Sequence, residues 1–113
     1  MRVDGKIDYV EMPASGELPA VKAFYGAAFG WTFTDYGPAY AAYEAGMDGG
    51  FDGGADLSSP PLVVLYAADL EAMEARVRAA GGVIVKAPYA FPGGRRFHFR
   101  DPAGNVLAVW SEG

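Results

Sequence analysis

Reactive side chains are scarce in this chain of 113 residues, which has one histidine, His98, and no cysteine. The lack of cysteine excludes disulfides, thiolate metal sites and cysteine nucleophiles. A single histidine leaves few routes to a conventional zinc site. His98 lies in Arg96-Phe97-His98-Phe99-Arg100, where polar and aromatic residues alternate. Its imidazole is a candidate acid or base near neutral pH, with Glu11 as its partner or as a second base. Each has a plainer role beside this one. A histidine between two phenylalanines suits a structural hydrogen bond, Glu11 before Pro13 suits a backbone or inter-subunit contact, and Arg96 is as much a surface charge as an anion ligand. Asp48, Asp52 and Asp56 are spaced only superficially like a calcium loop, because the terminal bidentate glutamate is missing.

The formal net charge of −5 argues against a nucleic-acid surface, which needs clustered cations. Arg95, Arg96 and Arg100 form the only basic cluster, and it fits one small anionic group better than a duplex. Hydrophobic residues make up 51% of the chain, as in a globular domain. No apolar run reaches the roughly 18 residues of a membrane span, and the N-terminus lacks a signal-peptide core, so a cytoplasmic protein is expected.

The chemistry-bearing residues must be positioned by elements that read as two related halves, expected to form a single domain over 1–113. The first module covers about 5–56 and the second about 61–112, too short to be stable apart and so expected to share a core. In the first, Ile7 to Met12 is a strand closed by Pro13, and Pro19 opens a helix that Gly30 ends with a left-handed cap. Val21, Phe24, Tyr25 and Ala28 should face the sheet, and Trp31 belongs in the core. Strands are expected over Trp31 to Tyr36 and Ala39 to Ala45, then a distorted edge strand in the glycine-dense 46–54. Ser58-Ser59-Pro60-Pro61 reads as a linker. In the second half, Leu62 to Tyr66 is a strand and Asp69 caps a helix over Leu70 to Ala80. Val83 to Lys86 is a strand, Pro88 to Gly94 an irregular loop, and Arg96–Arg100 and Val106–Trp110 form a hairpin around Asp101-Pro102-Ala103-Gly104-Asn105.

In this order the segments resemble the vicinal oxygen chelate superfamily, which includes glyoxalase I, bleomycin-resistance proteins and extradiol dioxygenases. The resemblance rests on Ile7–Pro13, the Ala23-Phe24-Tyr25 to Phe29-Gly30-Trp31 segment, Asp69-Leu70 with Ala79-Ala80-Gly81-Gly82, and the Asp101–Asn105 turn. It implies an α+β fold of two βαβββ modules curving into an incomplete barrel or cup around a ligand, and a homodimer.

Enzymes of that superfamily hold a divalent metal with His, Glu or Gln from the first and last strands of each module. By alignment those positions fall on Tyr9, near Val63, on Ala108, and in Gly49-Gly50-Phe51. Valine and alanine carry no donor atom and tyrosine is a poor ligand for such metals, so no metal and no cofactor is expected. The resemblance places His98 in the cup. The same resemblance puts Tyr9, Val63 and Ala108 there, alternation then adds Arg96, Glu11 and Trp110, and Leu65 completes the apolar walls. The expected function is metal-independent binding of a small organic molecule, of the bleomycin-resistance type. The alternatives are a metal-dependent glyoxalase-type lyase or dioxygenase, and a metal-independent isomerase or epimerase using Glu11 and His98.

Overall fold

The computed structural model describes residues 2–55 and 60–113. Asp56 and the Ser58-Ser59 part of the expected linker lie outside the described residues. The elements run β1 (Ile7–Pro13), α1 (Leu18–Phe29), β2 (Phe33–Asp35), β3 (Tyr40–Glu44), β4 (Asp48–Asp52), β5 (Leu62–Tyr66), α2 (Leu70–Ala79), β6 (Val83–Phe91), β7 (Gly94–Arg100) and β8 (Val106–Ser111). The fold is therefore α+β, with the order βαβββ occurring twice. Strands lie in the order β2-β3-β4-β1 in the first module and β6-β7-β8-β5 in the second. Corresponding strands thus hold corresponding places. The first strand of each module runs parallel to the last, and the other pairs are antiparallel.

The chain divides into two compact units, residues 9–62 and residues 1–8 with 63–113. The N-terminal residues join the second unit through a ladder in which Gly5 N–H donates to Tyr66 O at 2.9 Å and Tyr66 N–H to Lys6 O at 3.2 Å. Among the described residues no helix is long and apolar enough to cross a membrane.

In the first module, Leu18, Val21 and Tyr25 on α1 pack with Ala14, Ala41, Tyr43 and Phe51. Gly30 ends the helix at φ 74°, as the sequence suggests. Phe24 departs from expectation and stays 57% exposed. The apolar stripe is instead completed by Trp31, which returns after Gly30 to stack between Tyr25 and Tyr43 at ring separations of 4.7 and 4.9 Å. The glycine-dense β4 is an inner strand between β3 and β1, where an edge strand was expected. A Cβ on Gly49 would strike the Tyr43 ring, and one on Gly50 would strike the Tyr9 and Tyr40 hydroxyls. Those glycines admit three tyrosines over the sheet.

In the second module Asp69 accepts the Ala72 N–H at 3.0 Å, capping α2. Leu70, Met73 and Val77 then cover Phe97, Val109, Leu65, Ile84 and Phe99. The expected loop Pro88 to Gly94 is largely strand, since β6 runs on to Phe91 with register shifts between Ile84 and Tyr89. Pro88 is tolerated because, among the described residues, β6 pairs only with β7, leaving its other edge without need of an N–H.

Gly94 opens β7 at φ 156°, and a Cβ there would run into the Ser111 carbonyl of β8. Neither backbone can withdraw without breaking the Arg95–Ser111 pairing. Gly94→Ala is expected to cost about 2–4 kcal/mol by urea unfolding. Gly104→Ala, at φ 96° but facing open space, should cost only about 1 kcal/mol.

Candidate functional site

Alternation along paired strands sorts the second module into two faces. On one, Phe97, Phe99, Val109 and Leu65 meet α2. Register puts Arg96 opposite Trp110 and His98 opposite Ala108 across β7 and β8, and Val64 opposite Ala108 and Tyr66 opposite Trp110 across β5 and β8. Arg96, His98, Ala108 and Trp110 therefore share the face turned from α2, as the sequence indicates. The expected face of β5 is one residue out of register. Leu65 belongs to the core under α2, Val63 shares its side, and Val64 and Tyr66 stand beside Ala108 and Trp110. The cause is that the ungapped repeat places β5 by length, whereas its pairing with β8 follows the packing of Leu65 and Val109 under α2. A void of about 50 Å³ lined by Leu65, Met73, Val77, Phe99 and Val109 lies on the helix side.

The basic cluster is divided by the same alternation. Arg95, on the helix side, grips Glu71 through two hydrogen bonds of 2.6 and 2.8 Å, and that bond holds the Glu71 carboxyl below its ordinary pKa. Arg100 is exposed at the far end of β7. Arg96 turns toward β6, donating from Nε to the Tyr89 hydroxyl, with its guanidinium carbon 5.6 Å from the Tyr89 ring centre and 5.5 Å from that of Phe91.

Tyr89 connects Arg96 to His98. Its oxygen accepts from Arg96, so its single proton is available to His98 Nε2, 3.0 Å away. A neutral imidazole with its proton on Nδ1 accepts that proton, and the other tautomer donates Nε2–H to the same oxygen. Burial, then the charges of Arg96 and Lys86, push the His98 pKa down to about 4. A ring so lowered is a neutral hydrogen-bonding group at physiological pH. Lys86, register partner of His98, stands 4.3 Å from the Tyr89 ring centre.

Trp110 donates from Nε1 to Asp8 Oδ2 at 3.0 Å. Its ring meets Tyr66 edge-on at 5.6 Å and lies 6.3 Å from Phe91.

In the other unit, Tyr9 and Glu11 are brought together with Tyr40. Tyr40 donates to Glu11 Oε2 at 2.9 Å, and the Tyr9 and Tyr40 hydroxyls are 2.6 Å apart. Because the Tyr40 proton goes to the carboxylate, Tyr9 is the donor to Tyr40, which makes a directed chain ending on Glu11. Burial foremost, then the Glu11 charge, raises the Tyr40 pKa far above its ordinary value, and burial raises that of Tyr9. Both remain hydroxyl donors.

The side chains at the superfamily's metal positions do not fit a divalent ion. Ala108 and the β5 residues Val63 and Val64 offer no donor atom, Gly50 offers none, and the Tyr9 oxygen is already bonded to Tyr40. Among the described residues no three His, Asp or Glu side chains are grouped to hold a metal. Tyr89, Lys86, Tyr40 and Asp8 were missed by sequence reasoning. Tyr89 falls in the Pro88 to Gly94 segment that reads as loop, Lys86 ends the strand expected before it, and Tyr40 and Asp8 carry no motif.

A family model, the Glyoxalase/Bleomycin resistance protein/Dioxygenase superfamily, matches residues 6–109. No curated protein matches. Among solved structures, the Mn(II)-bound glyoxalase from Novosphingobium aromaticivorans is 24% identical with a TM-score of 0.68, over 99% of this chain and 40% of that one. Methylmalonyl-CoA epimerase from Mycobacterium tuberculosis is 15% identical with a TM-score of 0.68, over 100% and 91%. NAD-dependent benzaldehyde dehydrogenase from Legionella pneumophila is 12% identical with a TM-score of 0.74, over 93% and 98%. At these identities the likeness is one of fold.

The lone imidazole gives one set of ring signals by NMR, which should titrate near 4, and Lys86→Gln should move that midpoint upward by removing a facing charge. The folded-state pKa lies below the unfolded value of about 6.5, so the unfolded chain binds the proton more readily. Stability held by the neutral ring is complete above that value and declines as pH falls toward about 4. In His98→Gln this part of the pH dependence should disappear from urea unfolding.

Proposed function

The chain belongs to the Glyoxalase/Bleomycin resistance protein/Dioxygenase superfamily, and within it we propose that it binds a small organic anion, without a divalent metal, on the second-module face turned from α2. The observation that carries this is the Arg96–Tyr89–His98 chain beside the aromatic rings of Phe91 and Trp110. Tyr89 holds the guanidinium through Nε, and arginine is the side chain best suited to planar recognition of carboxylates and phosphates. The rings supply apolar contact around a few polar groups, the usual make-up of a small-molecule site. Arg96, His98, Ala108 and Trp110 are its proposed lining, with Tyr89 and Val64 added and Val63 and Leu65 removed.

The donor-poor side chains at Ala108, Val64 and Gly50 support metal independence. The division of Arg95, Arg96 and Arg100 supports a single small anion over a nucleic acid. The two units are proposed to work as one domain in a cytoplasmic homodimer, as the sequence resemblance implies, and sedimentation at micromolar concentration tests the dimer.

A second reading, a metal-independent isomerase or epimerase, is favoured by the carboxylate of Glu11, held by the Tyr9–Tyr40 chain as a fixed base would be. It requires that Glu11→Gln abolish proton exchange at a substrate carbon while binding persists.

A thermal-shift screen of small aliphatic and aryl carboxylates separates these outcomes. A ligand at a hundred times its Kd adds about 2.7 kcal/mol to folded-state stability, and Arg96→Gln should weaken its binding about ten- to hundredfold. Binding indifferent to Arg96→Gln overturns the site. Stoichiometric manganese, nickel, zinc or iron retained after dialysis overturns metal independence and favours a lyase or dioxygenase.

A further inference from the structure

The N-terminal segment carries an arrangement that the anion-binding face does not use. Arg2 lies with its guanidinium carbon 5.1 Å from the Trp110 ring centre, and its Nε is 3.2 Å from Asp8 Oδ2. The same Asp8 oxygen accepts the Trp110 indole N–H at 3.0 Å. One carboxylate therefore fixes the indole and faces the cation over it. Asp8 is well shielded, its side chain 18% exposed, whereas that of Arg2 is 43% exposed.

These three groups have the two attractions by which proteins hold organic cations, an indole face and an adjacent carboxylate. Tyr66 adds an edge-on ring to Trp110, and the Tyr66 hydroxyl donates to Glu112 at 3.0 Å. Arg96, the register partner of Trp110, turns the other way, toward Tyr89 and Phe91 on β6. The cationic and anionic requirements are thus met on neighbouring strands.

We propose that Trp110 and Asp8 form a subsite for an organic cation, a quaternary ammonium or guanidinium group, which the Arg2 guanidinium fills in the free protein and an incoming cation displaces. Arg2 is the stand-in that reveals the chemistry. It lies outside the regular elements, so its departure breaks no strand pairing. Combined with the anion reading above, on which this one step rests, the ligand is a small zwitterion with its charges over adjacent strands. That assignment reconciles an acidic chain with an arginine on the proposed binding face.

The test uses the 15N-labelled full chain and tetramethylammonium chloride, with tert-butanol as the neutral probe of like shape and sodium chloride to hold ionic strength. Asp8→Asn identifies the Trp110 indole signal, because the amide oxygen still accepts the N–H while the charge is gone. Tetramethylammonium should shift that signal and tert-butanol should not. Arg2→Ala should tighten the response about two- to fivefold by vacating the ring, and Asp8→Asn should weaken it at least as much. Retained amide spectra in both variants show that they fold. No Trp110 shift in Arg2→Ala, or an equal shift with tert-butanol, overturns the subsite. Acetate responses lost with Arg96→Gln report the anion site separately. A cation response without an anion response removes only the earlier reading, and the reverse removes only this one.

Discussion

Burial of Phe97 and Val109 beneath α2 is the contact on which the second module depends. Phe97 is 0% exposed and Val109 2%, and the two are register partners across β7 and β8. Truncating a buried phenylalanine costs about 3–5 kcal/mol, whereas an exposed ion pair such as Arg95–Glu71 is screened by solvent and adds little. The apolar pair therefore sets the register, and the salt bridge follows it. With Phe97 turned inward, Arg96 and His98 must turn outward. A shift of one residue would bury two polar groups and expose the core, which is why the face carrying chemistry is so strongly specified.

The first module obeys the same constraint with different materials. Phe51, Ala41 and Tyr43 are buried against α1, which sends Glu11, Tyr9 and Tyr40 to the other face. There the strand between them carries glycine. Gly50 leaves the space that the two hydroxyls occupy, so a backbone feature on β4 makes possible a hydrogen-bonded chain contributed by β1 and β3. Aromatic bulk and missing side chains are complementary parts of one arrangement.

That complementarity explains what was legible in the sequence. The repeat, the Asp69 cap, the Gly30 cap and the alternation through Arg96–Arg100 are local signals, and the structure carries each of them. The inner position of β4 was hidden because glycine density marks an edge or a loop unless the tyrosines that overlie it are known. Tyr89 was hidden by its neighbour Pro88, since proline in a strand is tolerated only at an edge, and edge status belongs to the whole sheet. The β5 face was misjudged because five apolar residues in a row, Leu62 to Tyr66 with its terminal hydroxyl excepted, contain no polarity to reveal which side is buried. Asp8 and Arg2 were hidden because their partner Trp110 is about a hundred residues distant in the chain.

Electrostatics then decides what the face can do. Burial, then the charges of Arg96 and Lys86, keep the His98 ring uncharged, and the proposed function uses the same cations to attract an anion. A neutral histidine cannot supply that attraction, so its task is to hold Tyr89, which in turn orients Arg96. On β8, Trp110 is fixed by a carboxylate instead. Cations thus gather on β6 and β7, while the indole on β8 is held by a carboxylate from β1. Alternation places Arg96, His98 and Trp110 together, since each takes the position left to it once Phe97 and Val109 are buried on the opposite face.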